Sequence, residues 1–204
     1  MSQKLSISVK ENIDKERLPH WILSQLWPYH SLICDMRLVL IMQEINNLYP
    51  ADKNECYKLI HAQLRALLEN EPYVIPNLSN ASALLNGALS EINWVGFYLI
   101  HNNELLLGPF QGKTACVHIS IGKGVCGTAV QKDEIQLVPD VHLFPGHIAC
   151  DSTSRSEIVI PIHSKGKIVG VLDIDSPVTE RFDSMDQDGL LEVVKILEAA
   201  CDWV

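Results

Sequence analysis

Three cysteines lie close together in segments that are typical of reactive rather than structural thiols: Cys116 in KTACV, Cys126 in GVCGT and Cys150 in HIACD. The N-terminus lacks the apolar core of an export signal, so clustered thiols favour metal binding or redox chemistry over structural disulfides. His118 and His147 would add two zinc ligands. However, no C-x2-C pair is present, and structural zinc sites are usually built on such pairs. Redox chemistry is the preferred interpretation, and no metal is expected.

Two of these thiols are candidate nucleophiles. Cys150 follows Pro145, Gly146 and His147 on a long predicted loop, where a thiol can be exposed and His147 could stabilise its thiolate. Cys126 stands at the glycine-rich start of a predicted helix, where backbone N–H groups and the helix dipole lower a thiol pKa. The residues alone leave both open. Cys116, on a predicted strand, is interpreted as the resolving thiol; the other cysteines are interpreted as ordinary buried thiols: Cys34, Cys56 and Cys201.

Three carboxylates form the second chemical feature. A three-residue loop over 164–166 is predicted between strands at 157–163 and 168–175. In that register Glu157 faces Asp173, Asp175 follows on the same side, and the isoleucines occupy the opposite, buried side. Such a cluster needs a cation or a retained proton. A solvated outer face is the alternative, but the neighbouring Cys150 loop favours a site that holds an ammonium group or donates a proton.

The surrounding pattern predicts the elements that position these groups. Helical spacing over 53–68 is followed by a second helix capped by Ser79 or Asn80. Short strands come next, then a helix over 125–131 and a final helix that opens at Ser184 with capping-box spacing. This order predicts an α+β domain, with a central, mostly antiparallel sheet flanked by N- and C-terminal helices.

The domain is expected to occupy residues 51–204. Residues 1–50 are poorly patterned apart from a plausible helix over 38–48, and are interpreted as an extension of unknown role. Met42 offers a second translation start within this segment.

Bulk composition excludes several functional classes. The 204 residues carry a net charge of −9, which leaves no basic surface for nucleic acid or anionic lipid. No apolar run approaches the roughly 18 residues that would cross a bilayer. A cytoplasmic location with reduced cysteines is expected, without nucleic-acid or membrane partners.

Several motifs together resemble one enzyme family. They are NWVGFYL (93–99), LGPFQGKTACVHI (107–119), GKGVCGTAV (122–130), DVHLFPGHIACDS (140–152), SEIVIP (156–161) and GVLDIDS (170–176). These segments resemble the free methionine-(R)-sulfoxide reductases, single GAF domains that reduce the R-epimer of free rather than peptide-bound methionine sulfoxide. The resemblance runs from about residue 54 to residue 204 and leaves the first ~50 residues uncovered.

The resemblance implies roles for individual residues. Cys150 would be the nucleophile, Cys116 the resolving thiol and Cys126 a second participant. Trp94 and Tyr98 would line the substrate pocket, and so would the carboxylates at 157, 173 and 175; without the resemblance, the two rings could equally be core aromatics. A thioredoxin-type reductant would recycle an intramolecular disulfide without any cofactor, in a response to oxidative stress. The assembly state, a homodimer included, stays open.

Two competing functions do not involve turnover. Many GAF domains are sensors of small ligands such as cyclic nucleotides, but three carboxylates in a pocket would repel a phosphate. A thiol-based oxidant sensor would share the cysteines, but it would not need Glu157, Asp173 and Asp175. The carboxylates therefore favour the reductase.

Overall fold

The computed structural model describes residues 49–146 and 151–203. The helix predicted over 38–48, most of the predicted extension and Cys150 lie outside the described residues. The helices are α1 (Lys53–Leu67), α2 (Val74–Ala88), α3 (Gly124–Lys132) and α4 (Ser184–Ala200), with a 3-10 turn at Val141–Leu143. The strands are β1 (Trp94–His101), β2 (Glu104–Gly112), β3 (His118–Ser120), β4 (Gln136–Val138), β5 (Ser156–Ser164) and β6 (Lys167–Ser176).

The six strands form one sheet in the order β3-β2-β1-β6-β5-β4, and every neighbouring pair is antiparallel. The predicted α+β class and antiparallel sheet are confirmed. None of the helices in 49–146 and 151–203 is long and apolar enough to cross a membrane.

The two faces of the sheet are covered by different elements. Side chains alternate along a strand, so Val95 and Phe97 of β1 face one way while Trp94 and Tyr98 face the other. The first face packs against α1, α2 and α4 and forms the larger core. Each fully buried leucine or isoleucine there contributes roughly 1.5–3 kcal/mol. The second face packs against α3 and carries a smaller core, which leaves room for a cavity.

The register of the β5–β6 hairpin differs from the predicted one. Its loop has two residues, Lys165 (φ 52°) and Gly166 (φ 75°), as two-residue hairpin turns with positive φ require. The expected three-residue loop is therefore wrong. A bulge follows, because His163 pairs with Ile168 while Ile162 pairs with Gly170, which leaves one extra residue on β6.

The bulge keeps the carboxylates on one face. A two-residue loop alone would reverse the facing of every later side chain, and the extra residue reverses it back. Glu157 therefore pairs with Asp175, and Asp173 pairs with Val159, so the predicted Glu157–Asp173 pair is displaced by two residues. The shared face of the carboxylates is confirmed, because two-residue slips preserve facing.

The capping residues predicted for two helices are wrong, although the final helix does begin at Ser184 as predicted. Helix α2 begins at Val74, which leaves Pro76 in the first turn, where its missing N–H costs nothing. The Ser79 hydroxyl donates to the Ile75 carbonyl (2.7 Å) inside the helix and caps nothing. Helix α4 does have a capping box, but its N-cap is Asp183, which works with Asp186.

A buried ion cluster joins α4 to α1. The Asp186 carboxylate, 1% exposed, accepts hydrogen bonds from the Tyr57 hydroxyl (2.9 Å) and from Arg181 Nη1 (3.1 Å to Oδ2), and it pairs with Lys53. These partners come from α1 and from the segment that precedes α4. The cluster therefore determines how the C-terminal helix docks.

Replacing Asp186 with Ala should lower the free energy of unfolding by about 3 kcal/mol, because Arg181 and Lys53 lose a buried partner. The measurement is urea unfolding at neutral pH. Glu192→Ala on the same helix is the control: it removes an exposed pair with Arg65 and should cost under about 1 kcal/mol. Equal losses in both variants would contradict a docking role for Asp186.

Candidate active site

A cavity opens on the face of the sheet that carries α3. It brings together six of the residues predicted for the site: Trp94, Tyr98, Cys126, Glu157, Asp173 and Asp175. Cys116 does not line it, although the two preceding residues of its loop do. Cys150 lies outside the described residues; Asp151, its neighbour in sequence, lines the cavity.

The aromatic wall is built from one strand. Trp94 and Tyr98 are four residues apart on β1, and their rings stack with centroids 5.9 Å apart. The Trp94 indole donates to the Lys113 carbonyl (3.1 Å) and the Tyr98 hydroxyl donates to the Cys116 carbonyl (3.0 Å). The two rings belong to the core and also hold the β2–β3 loop against the cavity.

That loop is where Cys116 lies. Strand β3 begins only at His118, so the strand predicted for Cys116 is wrong and its thiol is half-buried in an irregular segment. The backbone of a loop can move more readily than the hydrogen-bonded backbone of a strand.

The acidic wall comes from the central hairpin. Glu157 and Asp173 are each only 6% exposed. One oxygen from each lies within 4.8 Å of the other and of Cys126 Sγ, which α3 contributes from above the sheet. Within the described residues, Asp173 Oδ1 is buried and accepts no hydrogen bond. A buried acceptor without a donor is costly, so the cavity is suited to a ligand that brings one.

Burial raises the pKa values of these carboxyl groups. It raises the pKa of Asp173 to about 6. Burial, reinforced by the charge of Asp173, also holds the pKa values of Glu157 and Asp175 well above the usual range of a carboxyl group. At neutral pH the group therefore contains protonated acid as well as carboxylate, so it can both donate a proton and attract a cation.

The pKa of the Cys126 thiol is shifted in the direction opposite to the prediction. Burial, followed by the nearby charges of Asp173 and Glu157, holds the pKa of its thiol well above the usual value. The helix start was expected to lower the pKa, but a helix dipole contributes at most about 2 kcal/mol, whereas full burial can shift a pKa by 3–5 units. This chemistry makes Cys126 a poor thiolate nucleophile.

The same cluster could hold a metal ion. A thiolate and two carboxylates are acceptable zinc ligands, and a fourth position would remain open to the cavity. The expectation of a metal-free site stays a prediction.

Sequence reasoning missed charged residues at the rim. The Asp151 carboxylate pairs with Lys113 (3.1 Å) and accepts a hydrogen bond from Thr153 N (2.9 Å), and Asn93 donates to it as well (3.2 Å). Hydrogen bonding, from the Thr153 backbone first, holds the pKa of Asp151 below its usual range. The sequence does hold a signal for this ion pair, because Lys113 lies three residues before Cys116 and Asp151 directly follows Cys150.

The raised pKa of Asp173 makes stability depend on pH. Between its unfolded value of 3.8 and about 6, the folded state keeps a proton that the unfolded state has lost. Stability should therefore fall by about 3 kcal/mol as pH rises through that window. Asp173→Asn should remove this part of the fall, as measured by urea unfolding at pH 4.5 and 7.5.

The exposed Asp188→Asn variant is the control and should keep the full dependence. A fall of the same size in Asp173→Asn and wild type would show that the buried carboxyl does not titrate in this range.

Comparisons with known proteins identify the family of this chain. Residues 34–201 match the GAF domain family. The chain is 51% identical over 147 residues to the free methionine-R-sulfoxide reductase of Escherichia coli, covering 72% of this chain and 89% of that protein.

Two solved structures are similar. The reduced form of fRMsr from Staphylococcus aureus has a TM-score of 0.70 at 60% identity and covers 71% of this chain and 94% of that one. The Neisseria meningitidis free methionine-R-sulfoxide reductase, in complex with its substrate, has a TM-score of 0.72 at 44% identity and covers 74% and 91%. With its cavity of aromatic and acidic residues, this chain belongs to the GAF-domain family of free methionine-R-sulfoxide reductases.

Proposed function

We propose that this protein reduces free L-methionine (R)-S-oxide to L-methionine with its own thiols. The observation that carries the proposal is the buried acidic cavity, in which Asp173 Oδ1 has no donor among the described residues and Trp94 and Tyr98 form an apolar wall. The carboxylates and the apolar wall match a small molecule with an ammonium group and a thioether-like tail. The curated relative from E. coli and the substrate complex from N. meningitidis support the same activity.

Selectivity for the free amino acid follows from charge. Its ammonium group would meet the carboxylates of the cavity, and its S-methyl group would contact the aromatic wall. A peptide-bound methionine sulfoxide has a neutral amide in place of the ammonium group. Binding it would leave buried carboxylates unpaired. A site built to bind a polar group strongly rejects an analogue that lacks that group.

The reduction transfers the sulfoxide oxygen to a cysteine. The Cys150 thiolate attacks the sulfoxide sulfur while a protonated acid of the cavity gives its proton to the oxygen. The S–O bond of the substrate breaks, methionine leaves, and Cys150 carries the oxygen as a sulfenic acid. The raised pKa values of Glu157 and Asp175 support the proton-donor role, since ordinary carboxyl groups would be ionised at neutral pH.

A second thiol then closes a disulfide. Cys116 attacks the sulfenic sulfur and water leaves. The Cys116 thiol lies in a loop, whereas burial raises the pKa of Cys126 and slows it as a nucleophile, so Cys116 is preferred as the resolving residue. A thioredoxin-type reductant opens the disulfide by exchange. The cycle needs no metal or organic cofactor, and a reducing compartment such as the cytoplasm suits it.

The substrate prediction is tested with racemic methionine sulfoxide. In the presence of thioredoxin, its reductase and NADPH, the protein should consume about half of the free racemate, because only the R-epimer reacts. N-acetylmethionine sulfoxide should react at least about 100-fold more slowly, since it lacks the ammonium charge. Chiral chromatography measures both reactions. Consumption of both epimers, or equal rates on the acetylated compound, would exclude the proposed specificity.

The thiol roles are tested by three substitutions. Cys150→Ser should abolish turnover. Cys116→Ser should still release about one methionine per chain when the reduced protein meets substrate without reductant, but should not recycle through thioredoxin. Cys56→Ala is the control, because Cys56 is buried against the helices on the other face, and it should turn over normally. Normal recycling by Cys116→Ser would assign the resolving step to another thiol.

A further inference from the structure

Three buried side chains form a cluster whose donor atoms are those of a zinc site. Cys126 comes from the first turn of α3, Glu157 from β5 and Asp173 from β6. The Cys126 sulfur and one carboxylate oxygen from each acid all lie within 4.8 Å of one another. Because the three ligands stand on a helix and two paired strands, the surrounding fold holds them in place.

The spacing of these donors is close to that of a zinc coordination sphere. Zinc binds thiolate sulfur at about 2.3 Å and carboxylate oxygen at about 2.0–2.2 Å, with tetrahedral geometry. Two ligands of one zinc ion are therefore about 3.3–3.7 Å apart. The observed spacing of up to 4.8 Å requires movements of only about 1 Å, which small rotations of the side chains supply.

A separate observation points to a ligand at this cluster. Asp173 is only 6% exposed, and its Oδ1 atom is buried without a hydrogen-bond donor from residues 49–146 or 151–203. Asp173 also accepts hydrogen bonds from the Cys126 thiol and from Glu157, so the three side chains already converge on one point. An unsatisfied buried oxygen is costly, and a metal ion would satisfy it directly.

The charge and the donor set of the cavity favour zinc in particular. The cavity is lined by four carboxyl groups and two lysines, and one of these lysines, Lys113, is paired with Asp151. The excess charge is therefore negative and suits a divalent cation. A thiolate beside two carboxylates selects zinc over calcium and magnesium, which prefer oxygen ligands alone. The fourth position of the metal opens into the cavity.

We propose that zinc binds this cluster and reversibly inhibits the enzyme. Zinc is not a cofactor of the reduction. It joins the Cys126 sulfur to the oxygens of Glu157 and Asp173, and the thiol releases its proton to solvent as the sulfur–zinc bond forms. The metal then occupies the acidic wall, so zinc and methionine sulfoxide exclude each other. The inhibition rests on the proposed function and adds a regulatory signal to it, whereas the binding of zinc does not depend on that function.

Cobalt(II) is the probe for the metal site, because it occupies zinc sites and its bonds to thiolate absorb in the near ultraviolet. The reduced, metal-free protein should bind one equivalent of cobalt with a thiolate-to-cobalt band. Cys126→Ser should lose this band. Glu157→Gln should keep it, and both variants should bind cobalt at least about tenfold more weakly, since loss of an outer-sphere partner alone costs roughly 10–100-fold.

Cys116→Ser and Cys150→Ser are the matched controls, because each removes a thiol that is close in sequence but is not one of the three proposed ligands. Both should keep the stoichiometry, the band and the cobalt affinity of the wild-type protein. A band that survives in Cys126→Ser, or one that disappears in either control, would place the metal on other thiols and overturn the site. Failure of the wild-type protein to bind an equivalent of cobalt would also overturn it.

The inhibition is measured in a single turnover without a reductant, because zinc also binds the thiols of thioredoxin. One equivalent of zinc should slow methionine release by the reduced wild-type protein several-fold, and EDTA or excess methionine sulfoxide should restore the rate. In Cys126→Ser, zinc should remove a smaller fraction of that variant's own rate.

Two outcomes separate this proposal from the proposed function. Methionine release that zinc leaves unchanged, although the protein binds cobalt as expected, would overturn the inhibitory role. Absence of methionine release from the metal-free protein, again with cobalt bound as expected, would overturn the proposed function and leave the metal site standing.

Discussion

Three carboxyl groups share a buried cavity, and their mutual repulsion is the constraint on which the site depends. The packing of the opposite face holds them there: the isoleucines of β5 and the apolar residues of β6 are buried against α1 and α4. Burying those side chains contributes roughly 1.5–3 kcal/mol each, which offsets the cost of holding acids away from water. Retained protons relieve this repulsion, and a cationic group of a ligand would relieve it further.

The cavity therefore combines charged groups with an apolar surface. One wall carries the three carboxyl groups, and another is formed by the rings of Trp94 and Tyr98. A ligand with an ammonium group and an apolar tail would suit both walls. The carboxylates would repel a phosphate, and a peptide amide would leave them without a cation.

Cys126 shows how two physical effects compete at one residue. Its position in the first turn of a helix favours a thiolate, but its side chain points among carboxyl groups in a buried cavity. Burial and like charge outweigh the dipole, so the pKa of the thiol is raised. The environment of Cys126 therefore argues against a role as the attacking thiolate, because the reactive form of a cysteine is the ionised one.

The sequence by itself determined the features that depend on local periodicity. Strand alternation places Glu157, Asp173 and Asp175 on one face, aromatic spacing places Trp94 and Tyr98 on another strand of that face, and helical spacing identifies the helices that cover the opposite side. The cysteine motifs identify the family. These patterns survive errors in loop length and helix start, because facing repeats every two residues.

Only the tertiary structure decided the features that depend on surroundings. A bulge on β6 shifted the strand pairing by two residues without changing the facing, which no alternation pattern can distinguish. The direction of the Cys126 pKa shift and the pairing of Lys113 with Asp151 depend on groups distant in sequence. Burial and charge pairing are sums over neighbours in space, and the order of residues along the chain does not specify those neighbours.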